Sequence, residues 1–176
     1  MTNLQPSSFF IPILALSLMI VLYLFLLRRV YAKASFKRFT ITILVVAFLL
    51  NFLWETLQMP LYKDAEYDLQ SISICGLASI ADANMVLLLY YVFALIYQDP
   101  FYGQKLTFKR GLILVVVGGI GAMLVEKKYT SDGTWAYSDA MPIIPFVEAG
   151  LSPDLQFMIL PVLIYYLSFK TISASR

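Results

Sequence analysis

Hydrophobic residues along the chain form five long runs that are separated by short polar segments. A helix that crosses a bilayer needs about 20 mostly apolar residues. The five runs are residues 9–27, 39–59, 72–97, 111–125 and 154–169. The pattern predicts an all-α fold, an integral membrane bundle of about five transmembrane helices that forms a single domain over residues 1–176.

The fourth run is short for a membrane span. Lys109 and Arg110 must extend to the interface at one end, and Glu126 is expected at the boundary at the other end. An outer cap, residues 126–153, follows this run. Its last part, residues 143–153, is apolar but contains prolines and a glycine, so we expect a short interfacial or re-entrant element there and not a sixth span.

Arginine and lysine concentrate in alternate polar segments. Ten of them follow the first and third runs or lie in the C-terminal tail, whereas three lie in the other segments. Because cytoplasmic loops are enriched in these residues, the bias predicts an N-terminus outside and a C-terminus in the cytoplasm. This orientation requires an odd number of spans. The predicted localisation is the inner (cytoplasmic) membrane of a bacterium, in a multi-pass arrangement.

Composition limits the chemistry that is available. Apolar residues make up 60% of the chain, and there is one cysteine and no histidine. A disulfide within the chain is excluded, and we expect no zinc site, no histidine-ligated haem and no Cys-His or Ser-His nucleophile pair. The net charge of +2 gives no nucleic-acid signature. We therefore expect no cofactor, no metal and no nucleic-acid partner, and chemistry carried by carboxyl, amide, hydroxyl and aromatic groups.

Acidic residues lie almost entirely toward the predicted outer side. Of eleven, only Asp99 lies on the predicted cytoplasmic side. Asn51, Glu55 and Gln58 follow each other at i, i+4 and i+7 and so share one face of the second helix. Asp82 lies about 15 Å along the third helix at 1.5 Å per residue, near the membrane middle. A charge at that depth costs at least about 2.5–3.5 kcal/mol, which favours a functional role for Asp82.

Other polar and aromatic residues lie toward the same predicted end. The candidate catalytic acids are Asp82, Glu55 and Glu126. The candidate substrate-binding residues are Asn51, Gln58, Ser79, Trp135, Tyr137, Glu148, Asp154 and Gln156. A structural interpretation competes for most of them, because boundary acids can be solvated, glutamines can join helices and aromatic rings can anchor at the interface.

Three segments resemble a known family. NFLWETLQMPLY, WAYSDAMPIIP and GLSPDLQ, together with the spacing of Cys75 and Asp82, resemble a family of small bacterial polytopic membrane proteins of uncharacterised function. The resemblance covers about residues 50–161. One departure is Ala81, where the family pattern has glycine. This resemblance implies the membrane location and no particular activity.

A weaker resemblance is to the membrane-bound lycopene cyclases and carotenoid hydratases. It rests on Glu126, Trp135, Tyr137 and Pro153, which match an intramembrane acid, an aromatic pair and a helix-opening proline. Those enzymes tend to have a Pro-x-Glu-Glu-type element, whereas this chain has Pro-Asp-Leu-Gln. The resemblance implies acid-base chemistry on an isoprenoid.

Three functional hypotheses follow. The first is a metal-independent acid-base enzyme, a cyclase, hydratase or isomerase of a lipid or isoprenoid, acting in an outward-opening carboxylate pocket. Asp82 would donate a proton, Glu55 or Glu126 would reprotonate it, and aromatic faces would stabilise the developing cation. The second is a non-catalytic role in lipid binding or as an accessory subunit, as a homo-oligomer or with a membrane partner protein. The third is a proton-coupled carrier with Asp82 as its relay.

Overall fold

The computed structural model describes residues 6–174, which are helical except at the connections. The five long helices are α1 (Phe10–Arg29), α2 (Lys33–Gln58), α3 (Leu69–Ile96), α4 (Phe108–Ser131) and α5 (Leu151–Ala174). Each is long and apolar enough to cross a membrane. Within the described residues no β-strand forms, and the only extended pairings are isolated bridges. The predicted all-α membrane bundle is therefore confirmed, and the orientation of its termini stays a prediction.

Helix α2 lies at the centre of the bundle. It packs against α3 on one side and α5 on the other, while α1 packs on α3 and α4 packs on α5. Helices α3 and α5 also meet through long side chains, since the Tyr165 hydroxyl donates to the Val86 carbonyl at 2.8 Å. Large apolar side chains such as Ile41, Ile80 and Leu124 remain exposed on the outer helix faces, as expected for surfaces that contact lipid.

One end of the bundle is filled by aromatic side chains and carries most of the cations; we call it the basic end. The rings of Phe39 and Phe169 stack with their centroids 3.7 Å apart. Tyr90 and Tyr102 stack at 4.8 Å, and burial raises the pKa of Tyr102 well above its usual range. These contacts form an aromatic core at this end, whereas the buried carboxyl groups lie at the opposite end.

Helix α4 extends beyond the apolar run 111–125. It begins at Phe108 and continues to Ser131, so Glu126 lies inside the helix and not at its end. The Thr130 hydroxyl donates to the Glu126 carbonyl at 2.8 Å within this last part. Hydropathy shows where the apolar sequence stops. A helix can continue beyond that point as long as its backbone N–H and C=O groups find hydrogen-bond partners. The extension makes Glu126 a buried residue.

Two helices begin at side-chain caps. The Asp68 carboxylate accepts a hydrogen bond from the Ser71 backbone N–H at 2.7 Å at the start of α3. This bond lowers the pKa of Asp68, which is the expected effect on an acid that caps a helix N-terminus. Thr107 caps α4 in the same way through Arg110. The caps define where each helix leaves its connection.

The α4–α5 connection, residues 132–150, folds over the end of the bundle without a helix. Its first part pairs with the α2–α3 connection, where Tyr62 and Tyr137 form an antiparallel bridge. The Ser138 N–H also donates to the Leu61 carbonyl at 2.9 Å. These bonds tie the two connections of this end into one layer.

The second part of the connection is a tight turn. Ile143 and Gly150 form a bridge, and Phe146 at the tip is fully exposed with φ of 69°. The short element expected at residues 143–153 is therefore this turn followed directly by the first residues of α5. The turn brings the start of α5 against Tyr137.

Helices α4 and α5 approach each other closely at Gly118. A Cβ atom added there would collide with the backbone oxygen of Phe157, whereas a Cβ at Gly121 would meet nothing within 4 Å. Small residues permit such close packing of membrane helices. Gly118 therefore sets the distance between the two helices.

We expect Gly118→Ala to lower the free energy of unfolding by about 1–3 kcal/mol, because the methyl group meets backbone that must move. Gly121→Ala is the matched control; it should be neutral or stabilise by up to about 1 kcal/mol, since alanine favours a helix over glycine. Unfolding in mixed micelles, followed by circular dichroism, measures both. Equal stability of the two variants would contradict the close contact.

Candidate functional site

The end of the bundle opposite the aromatic core collects carboxyl and amide side chains; we call it the acidic end. It is built from the last turns of α2, the first half of α3, the end of α4, the start of α5 and the two connections that pair above them. Residues from all four helices meet there through side-chain contacts. The predicted convergence of polar groups from four spans is therefore visible in the tertiary structure.

Glu55 and Asp82 form the first half of the cluster. Their carboxyl groups lie close together across the α2–α3 contact. Gln58 Nε2 donates to Glu55 and to Gln156, and Gln156 Nε2 donates to Asp82, so two amide side chains join the two acids. Two ionised carboxylates at close range repel each other, which favours a proton on one of them. The Cys75 thiol also lies beside the pair, 3.7 Å from the Glu55 carbonyl.

Gln156 of α5 joins this pair to the neighbouring amides. Its Nε2 donates to Asp82 Oδ2 at 3.0 Å and to Asn51 Oδ1 at 2.9 Å. Its Oε1 accepts from Gln58 Nε2 at 3.2 Å, and the same Gln58 atom donates to Glu55 Oε1 at 2.8 Å. The side chain of Gln156 in α5 is thus hydrogen-bonded to residues of both α2 and α3.

Glu126 forms the second half of the cluster with residues of the connection above it. Its Oε2 accepts from the Tyr137 hydroxyl and from Trp135 Nε1, the latter at 3.3 Å. The Tyr137 oxygen in turn accepts from the Gly150 N–H at 3.0 Å. Because these donors come from the connection, Glu126 ties the end of α4 to the layer that covers the site.

Tyr62 lies between the two halves. Its ring is 5.7 Å from that of Tyr137, and the side chain lies close enough to Glu126, Glu55 and Asp82 to interact electrostatically with each. Burial and the neighbouring Glu126 raise the pKa of Tyr62 well above its usual range. Burial and Glu126 do the same for Tyr137. Both phenols therefore stay neutral, and it is the Tyr137 hydroxyl that donates to Glu126.

Asp154 adds a fourth carboxyl group. It lies in the first turn of α5, is 2% exposed, and its Oδ1 has no hydrogen-bond partner. It lies near Glu126. The site thus contains four acids, and none of the hydrogen bonds or ion pairs of these side chains in the described structure involves a lysine or arginine.

Two of the sequence candidates lie apart from the cluster. Glu148 is exposed in the turn before α5, with φ of 61°. The Ser79 hydroxyl is buried and donates to the Cys75 carbonyl at 2.7 Å, a bond within α3. The other candidates are brought together: Asn51, Glu55, Gln58, Asp82, Glu126, Trp135, Tyr137, Asp154 and Gln156.

Two contributors are missing from the sequence-derived set. Ser152 donates to Gln58 Oε1 at 2.8 Å, and Tyr62 sits among the acids. The position of Tyr62 directly after the polar face of α2 and Pro60 was the available signal, since the proline ends α2 and turns the next residues back over the helix.

Among the described residues, no group of three or more acidic or cysteine side chains is placed to bind a metal ion. Comparison with protein-family models, curated proteins and solved structures gave no match. What is established is a polytopic membrane protein, on the strength of its five apolar helices.

Proposed function

We propose that this protein acts on a hydrophobic lipid or isoprenoid by acid-base chemistry at the acidic end. The observation that carries the proposal is the pair of neighbouring carboxyl groups Glu55 and Asp82 in helices α2 and α3, with Gln58 bonded to Glu55 and Gln156 bonded to Asp82. Ionisable groups at membrane depth are costly and are retained mainly where they serve function. If the cluster served only to hold the helices together, amide side chains would be sufficient. Asn51 and Gln58 already provide such amide hydrogen bonds to Gln156.

Asp82 is the proton donor in this proposal. Its proton passes to one carbon of an alkene, and the C=C electron pair forms the new C–H bond, leaving a carbocation on the other carbon. The cation then loses a proton to the carboxylate of Asp82 or Glu55 in an isomerisation or cyclisation. In a hydration, water adds to the cation through oxygen, and the resulting oxonium ion gives its extra proton to the carboxylate of Asp82 or Glu55. Either route returns the pair to its starting state.

The surroundings of the pair suit such a substrate. Helix faces that meet lipid are apolar, with Leu57 and Ile80 largely exposed on α2 and α3 near the pair. Aromatic faces attract positive charge, and Tyr62 lies among the acids. An isoprenoid chain from the bilayer therefore meets a proton donor and rings that stabilise a cation, and the chemistry needs neither metal nor histidine.

The test compares lipids extracted from a host that makes candidate isoprenoids and expresses either the wild type or Asp82→Asn. We expect a new or depleted isoprenoid with the wild type and a loss of that change with Asp82→Asn. Asp139→Asn is the matched control, because Asp139 is an exposed acid of the covering connection; it should behave like the wild type. Lipid profiles that are identical for wild type and empty vector would refute the catalytic function.

The same preparations address the non-catalytic alternatives. Native mass spectrometry of the purified variants reports retained lipid; equal retention by wild type and Asp82→Asn, with no lipid conversion, would favour lipid binding. Acidification of reconstituted vesicles that depends on Asp82 would favour a proton-coupled carrier. The catalytic proposal predicts conversion and no such acidification.

A further inference from the structure

A cavity of about 80 Å³ lies at the basic end of the bundle, lined by the start of α2, the α3–α4 connection (residues 97–107) and the end of α5. Phe39, Phe101 and Phe169 form its aromatic walls. Ser35 and Gln104 add a hydroxyl and an amide group. Ligand sites in proteins combine an apolar surface with a few polar groups in this way. The cavity lies at the end opposite the carboxyl cluster, so it is independent of the proposed function.

The aromatic walls are held in place by close packing. Phe169 stacks on Phe39, and Gly103 permits this position of the ring, because a Cβ atom at Gly103 would lie 2.5 Å from Phe169 Cε2. Phe101 packs edge-on against Phe36, with ring centroids 6.3 Å apart. Protein interiors leave few voids larger than a water molecule. An open space between walls that are packed this tightly therefore calls for an occupant.

Positive charge surrounds the cavity. Lys33, Lys105 and Lys170 are exposed, and each is the direct neighbour in the chain of a residue that lines the cavity. Asp99 is the one acid in the segments that form this end, and its carboxylate accepts the Phe101 N–H at 2.8 Å. Within residues 6–174 neither Lys33 nor Lys105 forms an ion pair. The charges beside the cavity therefore favour an anion.

The start of α2 favours an anion as well. Ala32, at the N-cap position, and Ser35, in the first turn, both line the cavity. Among the described residues no side chain caps this helix, and its first turn contains no acid. The first N–H groups of a helix have no partner inside the helix, and its N-terminus attracts negative charge. The helix start thus adds hydrogen-bond donors to the cavity and its lysines.

Exposed aromatic side chains indicate that this end lies at the level of the lipid headgroups. Tyr31, directly before Ala32, is fully exposed, and Phe108 at the start of α4 is 88% exposed. Tyrosine is enriched where membrane proteins meet the headgroups. An anion at this level is attached to acyl chains, and aromatic walls suit the carbon atoms next to its phosphate. Basic pockets between membrane helices are known to hold anionic headgroups.

We propose that this cavity binds the headgroup of an anionic phospholipid. The phosphate lies against the Ser35 hydroxyl, the Gln104 amide and the start of α2. Lys33 and Lys105 balance its charge from the rim. The glycerol carbons contact the aromatic walls, and the acyl chains lie along the exposed helix faces, because a cavity of about 80 Å³ has no room for them.

The test uses the full-length protein in detergent micelles and two phospholipids with the same acyl chains. Dioleoylphosphatidylglycerol carries a net negative charge, whereas dioleoylphosphatidylcholine is neutral overall. Native mass spectrometry should give a dissociation constant at least about 10-fold lower for phosphatidylglycerol. Equal affinities would overturn the proposal. Inorganic phosphate is the third probe: if it displaced phosphatidylglycerol at an equal concentration, the ligand would be the free anion and not the lipid.

A pair of charge variants locates the site at the basic end. Lys33→Gln combined with Lys105→Gln should raise the dissociation constant of phosphatidylglycerol at least about 10-fold and leave phosphatidylcholine unchanged. Lys63→Gln combined with Lys127→Gln is the matched control, because it removes the same charge from two exposed lysines at the acidic end. The control should bind like the wild type. An equal loss of affinity in both double variants would mean attraction by net charge and would contradict a local site.

A second pair of variants tests the cavity itself. Ala32→Leu adds a branched side chain where the cavity is lined, and it should raise the dissociation constant of phosphatidylglycerol about 10-fold. Ala34→Leu places the same side chain two residues further on, outside the cavity lining, and should bind like the wild type. Both alanines are exposed, so both variants should unfold at the same denaturant concentration as the wild type. Unchanged affinity of Ala32→Leu would show that the lipid binds elsewhere.

Discussion

Gln156→Leu is expected to lower the free energy of unfolding by about 2–4 kcal/mol, more than the other substitutions considered for stability. The leucine removes the bonds to Asn51, Asp82 and Gln58 at once. An unpaired buried polar group costs about 1–3 kcal/mol in proteins generally. Membrane proteins average only about 0.6 kcal/mol per bond, because the unfolded chain in the membrane also finds partners. Because Gln156→Leu removes three hydrogen-bond partners at once, we expect a loss of unfolding free energy that lies between the totals from these two estimates.

The measurement is unfolding of the purified protein in mixed micelles, with Gln70→Leu as the matched control. Gln70 is exposed in the first turn of α3, so the same change of side chain there removes no buried bond. Its unfolding free energy should stay within about 0.5 kcal/mol of the wild type. If the two leucine variants were equally stable, the hydrogen bonds of Gln156 would contribute nothing to the bundle.

Glu55→Gln is expected to reduce lipid conversion by about 10²–10⁴-fold, the usual contribution of a positioned proton-transfer group. The glutamine can keep the hydrogen bond from Gln58 but cannot deliver a proton. Glu126→Gln should have a smaller effect, because Glu126 is bonded to Tyr137 and Trp135 and is not the partner of Asp82. The rate of isoprenoid conversion in isolated membranes distinguishes the two variants.

The reverse order of effects would assign reprotonation to Glu126, the other candidate that the sequence left open. Folding is checked by the unfolding free energy, which should fall by less than about 1.5 kcal/mol for Glu55→Gln, since the hydrogen bond from Gln58 can be retained. A variant that loses conversion and also unfolds is uninformative about proton transfer; Glu55→Asp then replaces it, because the shorter acid keeps the proton and should retain part of the conversion.

The five helices and the polar face of α2 followed from the sequence. Asn51, Glu55 and Gln58 share a face because the helical repeat of 3.6 residues is a local property, and the structure keeps all three in one hydrogen-bonded cluster. The depth of Asp82 in the membrane stays a prediction. The acid that lies beside Asp82 could not be chosen from the sequence, because the choice between Glu55 and Glu126 depends on which helices touch.

Helix ends were harder to predict. Glu126 was expected at a boundary because the apolar run stops before it, yet α4 continues to Ser131 and buries the side chain. Glu148 was grouped with the site from its position in the chain, but the turn around Phe146 leaves it exposed. Hydropathy along a chain carries no information on how a connection folds back over the helices.

Apolar length and helical spacing are properties of neighbouring residues, so they were enough to predict five helices able to span a membrane, with acids gathered toward one end. The contacts of Gln156 with Asp82 and α2, the position of Tyr62 near the acids and the unpaired oxygen of Asp154 became known from the packed structure. These features arise where α5 and the two connections meet, and contacts between residues distant in the chain depend on helix packing and loop geometry that no local pattern encodes.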